Sequence, residues 1–414
     1  MTENIKFIHS SDFHLDDPVR GLRKPPQQLL ETLAEAPYLA AQKVFETAIT
    51  EKVDFVLLSG GLCNLENFSA RSVAFLIKQF QRLEQKNIWV YWCGAKGDSA
   101  DHWPGAIKLP KNVFQFQSRS VEHVDYQKSG DSIVRVIGVG CNSKSVAGDL
   151  LGVVEDGIFN VVVAHTDANV SAFKSDLIDY WAFGGKLNSV TEEFENSVAE
   201  NSVVVYPGSP QSREFYEGEP CGFKLVNLNQ SRKTNVRTIG SDRVFWCSQP
   251  VEIPNQIGME AAKNRLGEHA LQLMAEHPEQ TVLCRWRLVT SGGDSAPQIY
   301  GMEWRAALLE WLRVEFGRSG DGLWSISLEE GSSESLPSEW YEEDTLLGEY
   351  LRAIGRYQCD GELRLNLQNY LKDDVPRWET DGMAIVNEQQ RDEILSEASL
   401  LGVECLGGHD DPAV

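Results

Sequence analysis

The sequence predicts a layered α/β domain over residues 1–240, followed by a small α+β unit and a helical, acidic C-terminal region. Three observations carry that expectation. Short β-branched or aromatic runs recur through the first 230 residues, each ended by Gly, Asp or Ser. Two amphipathic helical patterns alternate with the first of them, which predicts parallel strands with helices outside the sheet. Around 241–255, SDRVFWCSQPVEIPN, the rhythm breaks at Pro250 and Pro254.

In chain order, strands are expected at 5–9, 53–58 (VDFVLL), 88–93 (IWVYWC), 133–139 (IVRVIGV), 160–164 (NVVVA), 202–206 (SVVVY) and 222–227 (GFKLVN). Between them, 70–86 places Val73, Leu76, Ile77, Phe80 and Leu83 on one helical face, and 38–52 does the same with Leu39, Val44 and Ala48. The close spacing of the later strands predicts a second, more antiparallel sheet. A strand bracketed by the two prolines, a helix at 259–276, a strand at 281–289, a helix at 303–316 and a strand at 323–328 make the α+β unit, 241–328. The Ser-rich, acidic stretch at 329–344 reads as a linker. Beyond it, 345–414 holds a helix at 345–357, which stacks Leu347, Tyr350, Leu351 and Ile354. Asn387 with Gln390 forms a capping-box pattern that opens a last helix through Leu400.

Composition is that of a globular protein, with 42% hydrophobic and 24% charged residues. No apolar run approaches the roughly 20 residues of a membrane-spanning helix. The N-terminus enters a strand without a basic segment and apolar stretch, so the expected location is the cytoplasm. Eight scattered cysteines with no CxxC pair predict buried, reduced thiols. Net charge is −23, and residues 329–414 hold 21 acidic against six basic residues. Nucleic-acid affinity rests on neutralising phosphates, so such a chain is a poor DNA binder by itself and needs a local basic patch or a basic partner.

The chemistry concentrates at strand ends. Asp12-x-His14 follows the first strand, and side chains two apart at a strand exit point the same way, which lets a carboxylate and an imidazole share one metal. Alone, DxH reads first as a turn aspartate and a packed histidine. Taken with VDFVLLSGGLCN, VYWCGAKGD, NVVVAHTD, DYWAFGGKLN and VVVYPGSPQSREFYEGEPCGFKLVNL, in that order, the segment FIHSSDFHLDDPVRGL resembles the calcineurin-like metallophosphoesterases, and within them SbcD-type DNA repair exonucleases. The resemblance spans about the first 230 residues. It implies a layered αββα fold, with the 241–328 unit in the place of that family's capping domain.

That family's pattern is DxH, GD, GNHD, a His after a strand, and GHxH, which together hold two divalent ions, often manganese. Asp12, His14 and His165 match, and Asp98 fits the acid ending GNHD. The bridging Asp is Gly61, the Asn ligand is Lys96, the proton-donating His is Gly97, and the histidines of GHxH are Gly185 and Leu187. Glycine offers no ligand atom, leucine none either, and an ammonium has three donors and no lone pair. The expectation is therefore a dismantled centre with no catalytic residue and no cofactor. In it Lys96 ion-pairs with Asp12 or Asp98. The alternative is a single manganese, iron or zinc ion at Asp12, His14 and His165, with Asn64 or Asp98 added.

Partners follow from the resemblance: an SbcC-like coiled-coil ATPase docked on the C-terminal helices, DNA reached mainly through that complex, and a homodimer through the helices near 70–86. A stand-alone acidic interaction protein remains the third reading. The YPGSPQSREF turn and the arginines Arg265, Arg285, Arg287, Arg305, Arg313 and Arg318 are candidate backbone contacts for nucleic acid or ordinary solvated surface.

Overall fold

The computed structural model describes residues 4–17, 22, 25–65, 69–143, 150, 152–166, 177–194, 202–213, 221–229, 233–254, 257–291, 301–317, 322–331, 338–359 and 388–406. The chain divides into two compact units, Met1–Val19 with Pro26–Val244, and Arg20–Pro25 with Phe245–Val414.

The first unit is a sandwich of two six-stranded sheets. One has the order β12-β11-β1-β2-β3-β4, from β1 (Ile5–Ser10), β2 (Phe55–Leu58), β3 (Trp89–Trp92), β4 (Val113–Gln115), β11 (Gly222–Leu228) and β12 (Thr234–Gly240). The other has the order β5-β6-β7-β8-β10-β9, from β5 (Val121–Lys128), β6 (Asp131–Val139), β7 (Phe159–His165), β8 (Tyr180–Gly184), β9 (Val190–Phe194) and β10 (Ser202–Tyr206). β1 to β4 pair in parallel, and β11 and β12 add antiparallel strands.

The expectation of a more antiparallel second sheet is corrected: β6, β7, β8 and β10 are parallel, and only its edges β5 and β9 are antiparallel. The links from β6 to β7 and from β7 to β8 are long enough for crossovers, and a crossover permits parallel pairing where a tight turn permits only antiparallel.

Alternation along the strands fills both sides of the first sheet. Phe7, Phe55, Tyr91 and Val226 meet Val134, Val161, Tyr180 and Val205 between the sheets. Ile8, Val56, Leu58 and Val90 face the helices α1 (Gln27–Thr50) and α2 (Ala70–Glu84). α2 opens on Ser69, whose hydroxyl accepts the Ser72 N–H, and buries Val73, Leu76, Phe80 and Leu83. Each such side chain contributes about 1.5–3 kcal/mol.

α1 starts eleven residues before the predicted 38 and runs through Pro37, because Leu29, Leu33 and Ala36 continue its buried face. That burial outweighs the one backbone bond a proline removes. The outer face of the second sheet carries its own cluster, including Leu150, Val162, Trp181 and Phe183.

In the second unit β13 (Val244–Pro254), β14 (Thr281–Ser291) and β15 (Leu323–Gly331) form a three-stranded sheet, with β14 and β15 parallel. Helices α3 (Met259–Glu276) and α4 (Met302–Phe316) close a core around Leu266, Trp286 and Leu312, and the Trp286 indole N–H donates to Ser325 Oγ (2.9 Å). Inside the predicted linker, Ser338–Glu342 forms a short helix, α5, where Trp340 and Tyr341 pack on Leu347 and Leu351 of α6 (Leu346–Cys359). The last helix is α7 (Glu388–Leu406). Asn387 of the predicted capping box lies outside the described residues. No helix among those described is long and apolar enough to cross a membrane. The six described thiols are free, four of them buried.

Candidate functional site

The site forms where β1, β2, β7 and β8 end. Beyond Ser10 the chain leaves the strand, and both Asp12 and His14 take left-handed backbone (φ 54° and 48°), which costs a non-glycine residue about 1 kcal/mol or more. Their N–H groups donate to the carbonyls of Gly60 and Gly61, 2.9 Å each. Those glycines are left-handed too (φ 81° and 72°). Paired turns, rather than strand alternation, make the two side chains converge.

Asp12 is 2% exposed, and its carboxylate is surrounded. Oδ2 accepts the Ser11 hydroxyl at 2.6 Å and the Gly185 N–H at 3.0 Å. Oδ1 lies 3.1 Å from His165 Nε2 and 3.7 Å from His14 Nε2. Ser209 Oγ donates to the Asp12 carbonyl (2.8 Å). Burial pushes the Asp12 carboxyl up, but the imidazoles of His14 and His165 outweigh it and hold it well below the usual carboxylate range. An ionised carboxylate only accepts, so His165 donates its Nε2–H at 3.1 Å, while His14 Nε2 at 3.7 Å is an ion-pair contact beyond hydrogen-bond distance.

The network continues outward with alternating sign. His14 Nδ1 meets Asp17 Oδ2 at 2.9 Å, and Arg213 Nη1 donates to the same oxygen at 2.8 Å. Burial opposes charge on His14, yet Asp12 and Asp17 on its two nitrogens outweigh that and raise its pKa. Sequence reasoning missed Ser11, Asp17, Ser209 and Arg213. Asp17 lies inside the quoted SDFHLDD run and Arg213 inside YPGSPQSREF, so both were visible, but only the fold brings residue 213 to residue 17.

Asp98 is fully buried and faces the backbone: it accepts N–H groups from Ala95 (2.6 Å), Leu62 (2.8 Å) and Gly61 (3.3 Å). Burial pushes its carboxyl up to about 6 against those three donors. It ties the loop after β2 to the loop after β3. The expected ion pair of Lys96 with Asp12 or Asp98 is corrected. Lys96 is exposed and bonds to neither, because imidazoles already flank Asp12 and backbone amides fill Asp98. Asn64 lies beside Gly97, and Leu187 is half-buried with its carbonyl on the Ser209 N–H.

Two divalent ions do not fit these residues. The Asp12 carboxylate accepts three hydrogen bonds, from Ser11, Gly185 and His165, with His14 at ion-pair distance, and at the bridging position an added Cβ on Gly61 would lie 2.6 Å from Asp12 Oδ1. Among the described residues, no group of three or more His, Cys, Asp or Glu side chains is arranged to hold a metal ion. Gly97, by contrast, is open: a Cβ there meets nothing nearer than 3.7 Å. Accordingly Gly61→Ala should destabilise by about 1–3 kcal/mol, through strain and the clash. Gly97→Ala should stay within about 0.5 kcal/mol. Urea unfolding of the two variants measures the difference, and equal losses would contradict the described geometry.

No family profile matches the chain. It is similar to an uncharacterized metallophosphoesterase, YhaO, of Bacillus subtilis (strain 168), 28% identical over 276 residues, covering 63% of this chain and 66% of that protein. The chain thus spans just under two thirds of that relative's length. A crystal structure of a dimetal phosphatase from Danio rerio matches at 9% identity and a TM-score of 0.37, covering 56% of this chain and 98% of the other. Two facing six-stranded sheets with α1 and α2 outside one of them make the layered α/β architecture that the sequence predicts.

Proposed function

We propose that the chain is an SbcD-like phosphoesterase-fold protein in which a network of protein charges replaces the two-metal nuclease centre, and that it serves as a non-catalytic subunit beside an SbcC-like ATPase. DNA is reached mainly through that complex. One observation carries the reading: the carboxylate that would grip a cation, Asp12, instead accepts hydrogen bonds from Ser11, Gly185 and His165, with the His14 ring 3.7 Å away. A metal there has to displace donors rather than enter a vacant shell. The acidic balance of the chain supports a partner for DNA contact.

The convergence of Asp12 Oδ1 with two imidazole Nε2 atoms favours the second reading, a single-metal phosphodiesterase. One measurement separates the two. Protein purified with manganese, iron and zinc supplied is expected to retain none stoichiometrically and to leave a bis-phosphodiester reporter intact. One ion per chain with turnover abolished in His14→Ala would establish the single-metal enzyme. Co-purification with a coiled-coil ATPase, lost on truncation after Ser332, tests the partner.

A further inference from the structure

At the opposite end of the sandwich from Asp12 lies a cleft of about 490 Å³ whose charge is opposite to that of the chain. Its floor is a registered row across three strands. Lys6 of β1 pairs with Asn227 of β11, and Asn227 pairs with Asn235 of β12. Directly paired residues share a sheet face, so an ammonium and two carboxamides stand side by side. Lys52, Lys128 and Lys233 add three further ammonium groups to the lining.

The two acids in the cleft are already engaged. Glu51 pairs with Lys6 (3.1 Å), and Asp54 with Lys128 (2.8 Å) while also accepting the Tyr126 hydroxyl and the Lys6 N–H. That leaves Lys52 and Lys233, both exposed, with no ion pair among the described residues. The side-chain amides of Asn227 and Asn235 line the cleft beside them. The lining carries four lysines against two acids, in a chain of net charge −23. The volume falls within the range of small-molecule sites, about 300–1,000 Å³.

We propose that this cleft binds a small phosphate-bearing anion of the pyrophosphate or nucleoside-diphosphate kind. Lysines are point charges with rotatable donors and suit tetrahedral phosphate. No arginine is among the lining residues, though Arg237 pairs with the lining Glu51 (3.7 Å), so an anion in the cleft meets ammonium point charges rather than a planar fork. Neutral carboxamides in the same row donate to phosphate oxygens without adding charge. The cleft holds none of the Asp12 network, and β1 alone separates Lys6 from that network by roughly 15–20 Å. The inference stands independently of the proposed function.

The test is calorimetric titration of the full chain with inorganic pyrophosphate, with ADP and with malonate. One-to-one pyrophosphate binding that weakens with added salt is expected. The double variant Lys52→Gln/Lys233→Gln, at exposed positions and with unchanged circular dichroism, is expected to bind at least about tenfold more weakly. Lys78→Gln, an exposed lysine of α2 outside the cleft, is expected to bind as the parent does. Malonate binding as tight as pyrophosphate would refute the phosphate class. Unchanged affinity in the double variant, no saturable binding, or an equal loss in Lys78→Gln would refute the site. Tighter ADP than pyrophosphate binding identifies the nucleotide as the source of the phosphate.

Discussion

Asp12→Ala is expected to destabilise the first unit by about 3–5 kcal/mol, the cost of leaving a buried charge network without its central anion. The side chain is 2% exposed, and its removal strands the Ser11 hydroxyl, the Gly185 N–H and the His165 Nε2–H at once and takes away the carboxylate facing His14 Nε2. It also leaves His14 with Asp17 alone to offset burial of its charge. In a centre built for metal the sign differs: removing one clustered ligand from metal-free protein relieves repulsion or costs little. Urea unfolding in excess chelator reads the difference. A loss below about 1 kcal/mol would show that the donors around Asp12 do not hold the fold, and the replacement of metal by protein charge would fail with it.

The second large effect is on pH dependence, through His9. This histidine is fully buried between the sheets, with Nδ1 3.1 Å from the Tyr180 hydroxyl and Nε2 2.8 Å from Ser59 Oγ. Burial, helped by the charge of Lys224, lowers its pKa from 6.5 to about 3. A base with a depressed folded pKa binds fewer protons folded than unfolded between those two values. Its stabilising share is therefore complete above about pH 6.5 and is lost as the pH falls toward 3. From pH 7 to pH 5 the loss attributable to His9 is about 2 kcal/mol. His9→Gln removes the titration, so the pH 7 to pH 5 drop in unfolding free energy should shrink by that amount. An identical drop in both proteins would mean that His9 is charged or solvated in the folded state.

Much of the fold was legible because it depends on local pattern. The apolar run IVRVIGV fits a strand buried on both faces, and the Val73, Leu76, Phe80, Leu83 stripe fits one face of a helix, whatever lies elsewhere. The pairing of the second sheet was not legible, because strand direction is set by connections whose course periodicity does not encode. The start of α1 was missed for a similar reason: a proline reads as a boundary until the burial of Leu29 and Leu33 is known.

By itself, the sequence determined which chemical groups reach this centre. Asp12, His14 and His165 stand among glycines at 61, 97 and 185, and no folding restores ligand atoms to residues that have none. The tertiary structure alone decided what neutralises Asp12. Lys96 is near in sequence logic, but charge pairing falls off with distance and solvent, and Lys96 ends exposed. Two imidazoles, a hydroxyl and the N–H of Gly185 arrive from strands over 150 residues away or from the next turn, and surround the carboxylate.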